Sequence, residues 1–194
     1  VLFSKDADAP MKPASMAKIM TVFVAFQRIA DGQLGMDDKF TISEKAWKKG
    51  GSRTFLEVGR TVSVRELLYG IIVQSGNDAA IVLAEGISGT ENAFAQEMNF
   101  WAKKIGMKNT NFRNSTGWPD PDLTTTAADL NIMTAELIRR FPADKYPDLY
   151  PIFAEREYTY NKIRQPNRNP LVYGTDGADG LKTGHTEESG YGLV

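Results

Sequence analysis

A continuous apolar run near the start of the chain constrains the fold more than any other feature. Its residues are Ile19-Met20-Thr21-Val22-Phe23-Val24-Ala25-Phe26. A helix that is apolar on almost every side is buried in the middle of a domain. Because Pro13 suits the start of a helix and Gly32 suits the position just after one, we predict a central helix over residues 14–30.

Ser15 and Lys18 are three residues apart in the first turn of this predicted helix, so their side chains share one face. Unpaired backbone N–H groups and the helix dipole favour negative charge there. Burial lowers the pKa of a lysine, and a neutral lysine can take a proton from a serine hydroxyl. Because Ser-x-x-Lys occurs by chance about once in a chain of this length, the pair needs support from other motifs.

Composition excludes several classes of function. The 194 residues suit one domain, or one domain with a subdomain, and the net charge of −1 does not favour nucleic acid as a partner. The absence of cysteine excludes thiol catalysis, disulfides and Cys-ligated zinc, and a single histidine, His185, excludes metal sites that need two. There is no Gly-x-Ser-x-Gly motif, so lysine is the favoured base for a serine enzyme. We expect no bilayer-spanning run and no signal peptide within these residues, and an exported protein in its mature form would also lack a signal peptide.

Outside the central helix, the pattern predicts short strands and amphipathic helices. Ser63 and Glu66 form a capping box for a helix that ends near residue 74, and Thr90 and Thr126 cap two later helices. We interpret residues 114–122 and 163–173 as loops, and residues 47–53 as a loop that either rims a site or is a solvated connection. Predicted strands lie at residues 1–4, 39–43, 157–160, 180–185 and from 190 onward.

A short polar bend, Ser75-Gly76-Asn77, separates two apolar helices, the second of which is predicted over residues 79–87. Polar side chains between buried helices need hydrogen-bond partners or a ligand. The alternative is that Asn77 or Asp78 is a plain helix N-cap.

Three short motifs stand in order along the chain, and together they are more specific than any one of them. They are Ser15-Met16-Ala17-Lys18, Ser75-Gly76-Asn77 and Lys182-Thr183-Gly184. Such a set occurs in penicillin-binding proteins and class A β-lactamases. The chain resembles the low-molecular-mass penicillin-binding proteins, the serine-type D-alanyl-D-alanine carboxypeptidases. The resemblance extends over nearly the whole chain and includes residues 13–21, 74–79, 163–169 and 179–186.

The resemblance implies a catalytic role for each motif. Ser15 attacks the carbonyl of the terminal D-Ala-D-Ala peptide bond and becomes acylated, and Lys18 accepts its proton. Ser75 relays a proton toward the departing D-alanine, while Asn77 holds Lys18 and the substrate backbone. Lys182 sets the local positive potential. Two lysines that converge on one pocket lower each other's pKa, and the pair titrates together.

The resemblance also implies a set of substrate-binding residues. Thr183 and the backbone around His185, including Gly184, align the substrate as an added strand, and Arg168 binds its terminal carboxylate. The backbone N–H groups of Ser15 and His185 form the oxyanion hole. We interpret His185 as a main-chain contributor, and no metal or cofactor is implied.

The fold that the resemblance implies is the α/β (α+β) architecture of β-lactamases and transpeptidases. It has an antiparallel sheet flanked by helices and an all-helical subdomain, with the site between them. Within a single catalytic domain, we expect the helical subdomain at residues 34–142 and the sheet subdomain at residues 1–33 and 143–194. Because family members usually have further strands, we also expect that the chain is truncated at both ends. Any membrane anchor is expected only in segments absent from it.

Two departures from the related enzymes bear on the reaction. The middle motif is Ser75-Gly76-Asn77 rather than Ser-Asp-Asn, which favours a carboxypeptidase over a class A β-lactamase. Class A enzymes also need a glutamate that drives water onto the acyl-enzyme. Ala127 stands at that place here, beside residues 128–131, which we expect to be helical. We therefore predict that β-lactams acylate Ser15 and leave slowly.

These implications lead to one predicted function and several alternatives. We predict a D-alanyl-D-alanine carboxypeptidase that trims the terminal D-Ala from peptidoglycan stem peptides and takes β-lactams as covalent inhibitors. Its expected location is the bacterial periplasm or the outer face of the cytoplasmic membrane. The alternatives are a β-lactamase, a DD-endopeptidase or transpeptidase on the same scaffold, and a β-lactam sensor without turnover.

Overall fold

The computed structural model describes residues 3–194 of the chain. Its centre is helix α1 (Lys18–Ala30), which follows directly on a 3-10 turn, Ala14–Ala17. Every residue in the first two turns of α1 is buried. After the helix, Gly32 has a φ of +68°, the left-handed conformation that glycine adopts at this position. The predicted central helix is confirmed, and its first turn is wound as a 3-10 helix.

Further helices surround α1. They are α2 (Glu44–Lys48), α3 (Val64–Ile72), α4 (Asn77–Ser88), α5 (Glu91–Ile105), α6 (Ala127–Arg140) and α7 (Leu171–Gly174), with a second 3-10 turn at Tyr150–Ala154. Helix α1 packs against α3, α4, α5 and α6. Edge-to-face aromatic pairs, among them Phe23 with Trp101 and Phe26 with Phe141, add to this contact.

The predicted helix caps are confirmed. The side chains of Ser63, Thr90 and Thr126 each accept a hydrogen bond from a backbone N–H in the first turn of α3, α5 and α6, respectively. Glu66 completes the capping box by accepting from the backbone N–H of Ser63. These local signals place the starts of three helices that pack on α1.

The strands of the described residues form three two-stranded antiparallel sheets. They pair β1 (Lys39–Thr41) with β2 (Thr61–Ser63), β3 (Glu157–Tyr160) with β4 (Ile163–Pro166), and β5 (Thr183–Thr186) with β6 (Gly190–Leu193). The β5–β6 pair packs on the 3-10 turn, where Gly184 and Gly192, which are register partners, face Met16. The third sheet therefore lies beside Ser15.

The prediction of a loop at residues 163–173 is wrong, because strand β4 and helix α7 lie there. Asn161 and Lys162 both have positive φ, at 48° and 65°, and they turn β3 directly into β4 so that Tyr160 pairs with Ile163. Two-residue hairpin turns with positive φ favour Asn-Gly. Because lysine and not glycine occupies the second turn position, the sequence pattern does not predict this hairpin.

Some predicted elements stand differently in the structure. Of the strand predicted at residues 1–4, Val1 and Leu2 lie outside the described residues, and Phe3 and Ser4 are not in a strand. Residues 34–142 contain α2 to α6 but also the small β1–β2 sheet, and their separation as a subdomain stays a prediction. None of the helices in residues 3–194 combines the length and the apolar character needed to cross a bilayer.

Candidate active site

Ser15 and Lys18 lie where the 3-10 turn joins α1. Lys18 Nζ is 3.0 Å from Ser15 Oγ. The lysine is completely buried, whereas Ser15 is partly exposed and lines a cavity of about 770 Å³. The serine and the lysine predicted as nucleophile and base are therefore in hydrogen-bond contact, and the serine is the one that a ligand can reach.

Two further oxygen atoms contact the amine of Lys18. Lys18 Nζ is 2.8 Å from Asn77 Oδ1 and 2.7 Å from the backbone oxygen of Thr116. A neutral amine has two N–H bonds and one lone pair. When the N–H bonds are donated to Asn77 and Thr116, the lone pair faces the hydroxyl of Ser15.

Burial and nearby charge both favour the neutral amine. Burial lowers the pKa of Lys18 well below its usual value of 10.5. Three nearby cations lower the pKa of Lys18 further; in order of effect they are Lys182, Arg168 and Lys49. The carboxylate of Asp78 has the opposite effect and raises it. Lys182 is also buried, and burial together with Arg168 lowers its pKa to about 7. The lowered pKa values of Lys18 and Lys182 therefore favour a neutral amine in this site.

The loop between α2 and β2 orients the side-chain amide of Asn77. Asn77 Nδ2 donates to the backbone oxygen of Gly50 at 2.8 Å, so Oδ1 is the atom that faces Lys18. The backbone N–H of Asn77 donates to Ser52. Gly51 has a φ of +77°, and a Cβ there would lie 2.8 Å from Asn77 Nδ2. The loop at residues 49–53 therefore belongs to the site and is not merely a solvated connection.

The bend between α3 and α4 presents a second hydroxyl to the cavity. Ser75 has a φ of +64°, and its buried Oγ has no hydrogen-bond partner among the described residues. Ser75 and Ser15 line the same cavity. The N-cap of α4 is Gly76, so the alternative of a plain N-cap at Asn77 or Asp78 is wrong. A buried hydroxyl that faces a cavity without a partner is available to a ligand.

A buried carboxylate fastens this bend to the loop. Asp78 accepts hydrogen bonds from the backbone N–H groups of Thr54, at 2.8 Å, and Leu56, at 3.2 Å. The side chain of Thr54 occupies the space above Gly76, where a Cβ would lie 2.1 Å from Thr54 Oγ1. The motifs do not identify Thr54, because nothing in its local sequence shows which helix it meets.

Strand β5 forms another wall of the cavity. Lys182 precedes the strand, and its Nζ donates to the backbone oxygen of Thr183 at 3.1 Å. A Cβ on Gly184 would lie 3.1 Å from the backbone oxygen of Pro13 and 3.2 Å from the backbone nitrogen of Met16. The absence of a side chain at Gly184 therefore lets β5 approach the turn that carries Ser15.

His185 and Arg168 line the same cavity as Ser15 and Thr183. The exposed ring of His185 stacks on Tyr191, with ring centroids 4.1 Å apart. Arg168 is exposed at the surface, and partial loss of water around its guanidinium lowers its pKa. Six of the nine predicted site residues thus line one cavity. Asn77 contacts the buried amine of Lys18, and Lys182 is near enough for its charge to act on that amine.

The loop at residues 114–118 contributes a group that the motifs do not reveal. Asn114 Oδ1 accepts hydrogen bonds from the backbone N–H groups of Thr116, Gly117 and Trp118. These bonds hold the loop so that the carbonyl of Thr116 reaches Lys18. The only signal in the sequence is a cluster of Asn, Ser and Thr, which is common in ordinary turns.

The arrangement suits nucleophilic attack by a serine on an acyl group. It combines a hydroxyl in contact with a buried amine, a second hydroxyl, and cations that attract a carboxylate. Within residues 3–194, no group of three or more His, Asp or Glu side chains is placed to hold a metal ion.

Comparison with known proteins adds independent findings. A family model described as D-alanyl-D-alanine carboxypeptidase matches residues 1–194. The chain is 40% identical to the D-alanyl-D-alanine carboxypeptidase DacA of Haemophilus influenzae, over 100% of the chain and 49% of that relative. The chain thus spans about half the length of the curated relatives it matches.

Solved structures share the fold. Penicillin-binding protein 5 from Haemophilus influenzae matches with a TM-score of 0.93 and 41% identity, over 100% of this chain and 56% of that one. Penicillin-binding protein D2 from Listeria monocytogenes, in an ampicillin-bound form, matches with a TM-score of 0.85 and 30% identity, over 99% of this chain and 76% of that one.

Proposed function

This chain belongs to the family of D-alanyl-D-alanine carboxypeptidases, and from that premise we propose that it removes the terminal D-alanine of peptidoglycan stem peptides through a serine acyl-enzyme. Family membership confirms the resemblance found in the motifs, and the structural neighbours confirm the transpeptidase-like fold class. The observation that carries the proposal is the 3.0 Å contact between Lys18 Nζ and Ser15 Oγ. The same amine also contacts Asn77 Oδ1 and the backbone oxygen of Thr116.

In the first step, Ser15 Oγ attacks the carbonyl carbon of the D-Ala-D-Ala peptide bond, and its proton passes to neutral Lys18. The carbonyl oxygen becomes an oxyanion. We assign its stabilisation to the backbone N–H groups of Ser15 and His185, since β5 lies against the turn that carries Ser15. Each such donor contributes about a hundredfold or more to the rate.

In the second step, the C–N bond breaks and the nitrogen of the departing D-alanine takes a proton. We assign the relay from Lys18 to that nitrogen to the hydroxyl of Ser75. Its position in the cavity and its lack of a partner among the described residues support this role. The step leaves an ester on Ser15 and returns Lys18 to its neutral form.

Substrate binding is assigned to the cavity wall. Arg168 binds the terminal carboxylate, and Lys182 maintains a positive potential beside it. Thr183, Gly184 and the backbone of His185 align the peptide as an added strand. Asn77 holds Lys18, and its contact with the substrate backbone stays a prediction because both ends of its amide are already bonded.

In the last step, water hydrolyses the ester and frees Ser15. Class A β-lactamases use a glutamate to activate water on the acyl-enzyme. Ala127, the first residue of α6, stands at the corresponding place and has no carboxylate. We therefore expect β-lactams to stay on Ser15. The ampicillin-bound relative supports this expectation, and the relatives do not favour a β-lactamase, an endopeptidase or a sensor without turnover.

The proposed substrate and the family support a location at the bacterial cell wall. We propose that the chain works in the periplasm or at the outer face of the cytoplasmic membrane, where stem peptides and β-lactams are accessible. Attachment to a membrane through segments beyond these 194 residues stays a prediction. The reaction as proposed needs neither nucleic acid nor a cofactor.

Mass spectrometry of the purified chain after incubation with benzylpenicillin tests the proposal. We expect a stable adduct that maps to Ser15, is absent in Ser15→Ala and is retained in Ser4→Ala, an exposed serine away from the cavity. D-alanine release from an acetylated peptide that ends in D-Ala-D-Ala should show the same pattern. A short-lived adduct with consumption of penicillin would instead identify a β-lactamase. A folded chain that forms no adduct and releases no D-alanine would refute the proposal.

A further inference from the structure

A buried carboxylate on α5 contacts the loop that borders the amine of Lys18. It belongs to Glu91, which is 8% exposed and is the first residue of α5. We propose that Glu91 is a positioning residue for Lys18 and acts through the backbone of Ser115 and Thr116. This inference rests on the proposed function, in which neutral Lys18 takes the proton of Ser15.

Glu91 holds Ser115 by two hydrogen bonds. Its Oε1 accepts from the backbone N–H of Ser115 at 3.1 Å and from Ser115 Oγ at 2.8 Å. On its other side, the carbonyl of Ser115 accepts from Thr21 Oγ1 at 2.7 Å. Ser115 is completely buried, so it is fixed between α5 and α1.

The next residue along the chain carries this restraint to the base. The carbonyl of Thr116 accepts from Lys18 Nζ at 2.7 Å. Because the peptide that links Ser115 to Thr116 is planar, fixing Ser115 also fixes the Cα of Thr116, from which the following carbonyl extends. The bond from the backbone N–H of Gly117 to Asn114 Oδ1 then orients the plane of that carbonyl. Thr21 and Lys18 belong to the same helix, so the restraint and the base share one rigid element.

The second oxygen of Glu91 has a different partner. Lys45 Nζ, on α2, lies 2.7 Å from Glu91 Oε2. Burial raises the pKa of Glu91, but hydrogen bonds from Lys45 and Ser115 outweigh it, so the pKa lies below its usual 4.5. Glu91 therefore keeps its charge across the pH range in which the lysines titrate.

The carbonyl of Thr116 matters because it directs a lone pair. Neutral Lys18 donates to Thr116 and Asn77 and points its lone pair at Ser15. Without the Thr116 acceptor, the amine can rotate away from Ser15, and a misplacement of about 1 Å costs on the order of a hundredfold in rate. Four other charged groups act on Lys18, namely Lys182, Arg168, Asp78 and Lys49. Glu91 variants keep all four side chains, but the charge of Glu91 raises the pKa of Lys49, so loss of that charge lowers the pKa of Lys49.

Glu97 supplies a matched control on the same helix. Its carboxylate pairs with Arg28 at 2.8 Å and accepts from Ser88 Oγ at 3.0 Å, and it makes no contact with the loop at residues 114–118. Glu91→Ala and Glu97→Ala each remove from α5 a largely buried carboxylate whose cationic partner is exposed. The measurement is the rate of benzylpenicillin acylation, from the mass of the adduct against time, between pH 5 and pH 9.

The acylation rate should rise with pH as Lys18 loses its proton, which is the acid limb, and then reach a plateau. We expect Glu91→Ala to lower the rate on that plateau about ten- to a hundredfold and to move the acid limb to lower pH. An ammonium donates one more hydrogen bond than an amine, so loss of an acceptor destabilises the charged form of Lys18 more. Glu97→Ala should keep both plateau and limb. Glu91→Gln retains an oxygen for Ser115 and should keep most of the wild-type rate. Lys45→Met leaves the bonds from Ser115 to Glu91 Oε1 in place and should also keep most of that rate.

Several results would overturn the inference. One is an equal rate in Glu91→Ala and Glu97→Ala, and another is a lower plateau with an unmoved limb, which indicates only a smaller folded fraction. If Glu91→Ala does not fold, Ser115→Ala decides: it removes one of the two bonds and should give a smaller change in the same directions. Failure of the wild-type chain to acylate on Ser15 refutes the proposed function and this inference with it, whereas normal wild-type acylation with an unchanged Glu91→Ala refutes the inference alone.

Discussion

Gly76 is the residue at which a single methyl group decides the shape of the site. Its Cα lies under Thr54, and the bend that it forms holds Ser75 and Asn77 on either side. A Cβ at Gly76 would lie 2.1 Å from Thr54 Oγ1 and 2.9 Å from Asp78 Oδ1. The aspartate that stands at this place in related enzymes therefore does not fit here, which gives a steric reason for Ser-Gly-Asn.

Gly76→Ala should destabilise the protein by about 1–3 kcal/mol, the usual cost of overpacking, and should lower acylation of Ser15 because the bend moves. Urea denaturation and adduct formation with benzylpenicillin measure the two effects. Thr54→Ala in the same chain should recover part of both, since it removes the crowded oxygen. Gly174→Ala, where a Cβ meets nothing within 4 Å, is the control. Equal stability of Gly76→Ala and Gly174→Ala would contradict the steric account.

The β5–β6 pair and the 3-10 turn form the two sides of the site closest to Ser15. Two glycines that are partners in the register, Gly184 and Gly192, face Met16 from this pair. The atoms that an added Cβ would meet differ between the two glycines. A Cβ on Gly192 meets the end of the flexible Met16 side chain at 2.5 Å, whereas one on Gly184 meets backbone atoms of Pro13 and Met16 at 3.1 and 3.2 Å.

This difference predicts unequal effects of the same substitution. Gly192→Ala should be absorbed by rotation of Met16, with acylation changed less than about threefold, because a flexible side chain moves at little cost. Gly184→Ala should push β5 away from the turn and lower acylation about tenfold or more, since the proposed oxyanion donors, the backbone N–H groups of Ser15 and His185, would separate. Stopped-flow acylation with a chromogenic β-lactam compares them. A larger loss in Gly192→Ala would show that the spacing of β5 is not what aligns the site.

Buried basic groups at the centre of the molecule set how its stability depends on pH. The pKa of Lys182 is lowered to about 7, and that of Lys18 is also far below 10.5. In the unfolded chain both lysines hold a proton up to about pH 10.4. Between about pH 7 and about pH 10.4 the unfolded state therefore binds more protons than the folded state, so the free energy of unfolding rises with pH.

Tyrosine reverses this trend at higher pH. Burial, with a contribution from Asp179, raises the pKa of Tyr150 to about 12. Above about pH 10 an unfolded tyrosine loses its proton while Tyr150 keeps it, so the folded state binds more protons and the free energy of unfolding falls.

We therefore expect maximal stability near pH 9 to 10, which is above the range of about pH 5–8 usual for proteins. Urea denaturation at intervals from pH 6 to pH 11 measures the curve. Lys182→Met should be more stable than the wild type at pH 7 and should show a shallower rise, because one buried lysine no longer titrates. A wild-type curve that is flat or falling from pH 7 to pH 9 would contradict the lowered pKa values.

Much of the fold and of the site follows from residues that are neighbours along the chain. The apolar run after Lys18 predicts the buried helix, Ser63 and Glu66 predict the start of α3, and the spacing of Ser15 and Lys18 predicts their contact. The β3–β4 hairpin escapes prediction because Asn161 and Lys162 lack the usual glycine. Thr54 escapes it because its importance depends on Gly76, which is far from it in sequence.

The sequence alone was enough to predict the central helix, the three motifs and the family, because helical spacing and short motifs are local properties of the chain. Only the folded molecule shows how the amine of Lys18, the proposed base, is oriented toward Ser15. Lys18 meets Asn77 and Thr116 across separations of 59 and 98 residues, and Glu91 supports Thr116 through Ser115. Such contacts depend on how helices and loops pack, since a backbone carbonyl leaves no mark in the sequence. Tertiary packing also buries Lys18 and Lys182 together, and this burial lowers their pKa values.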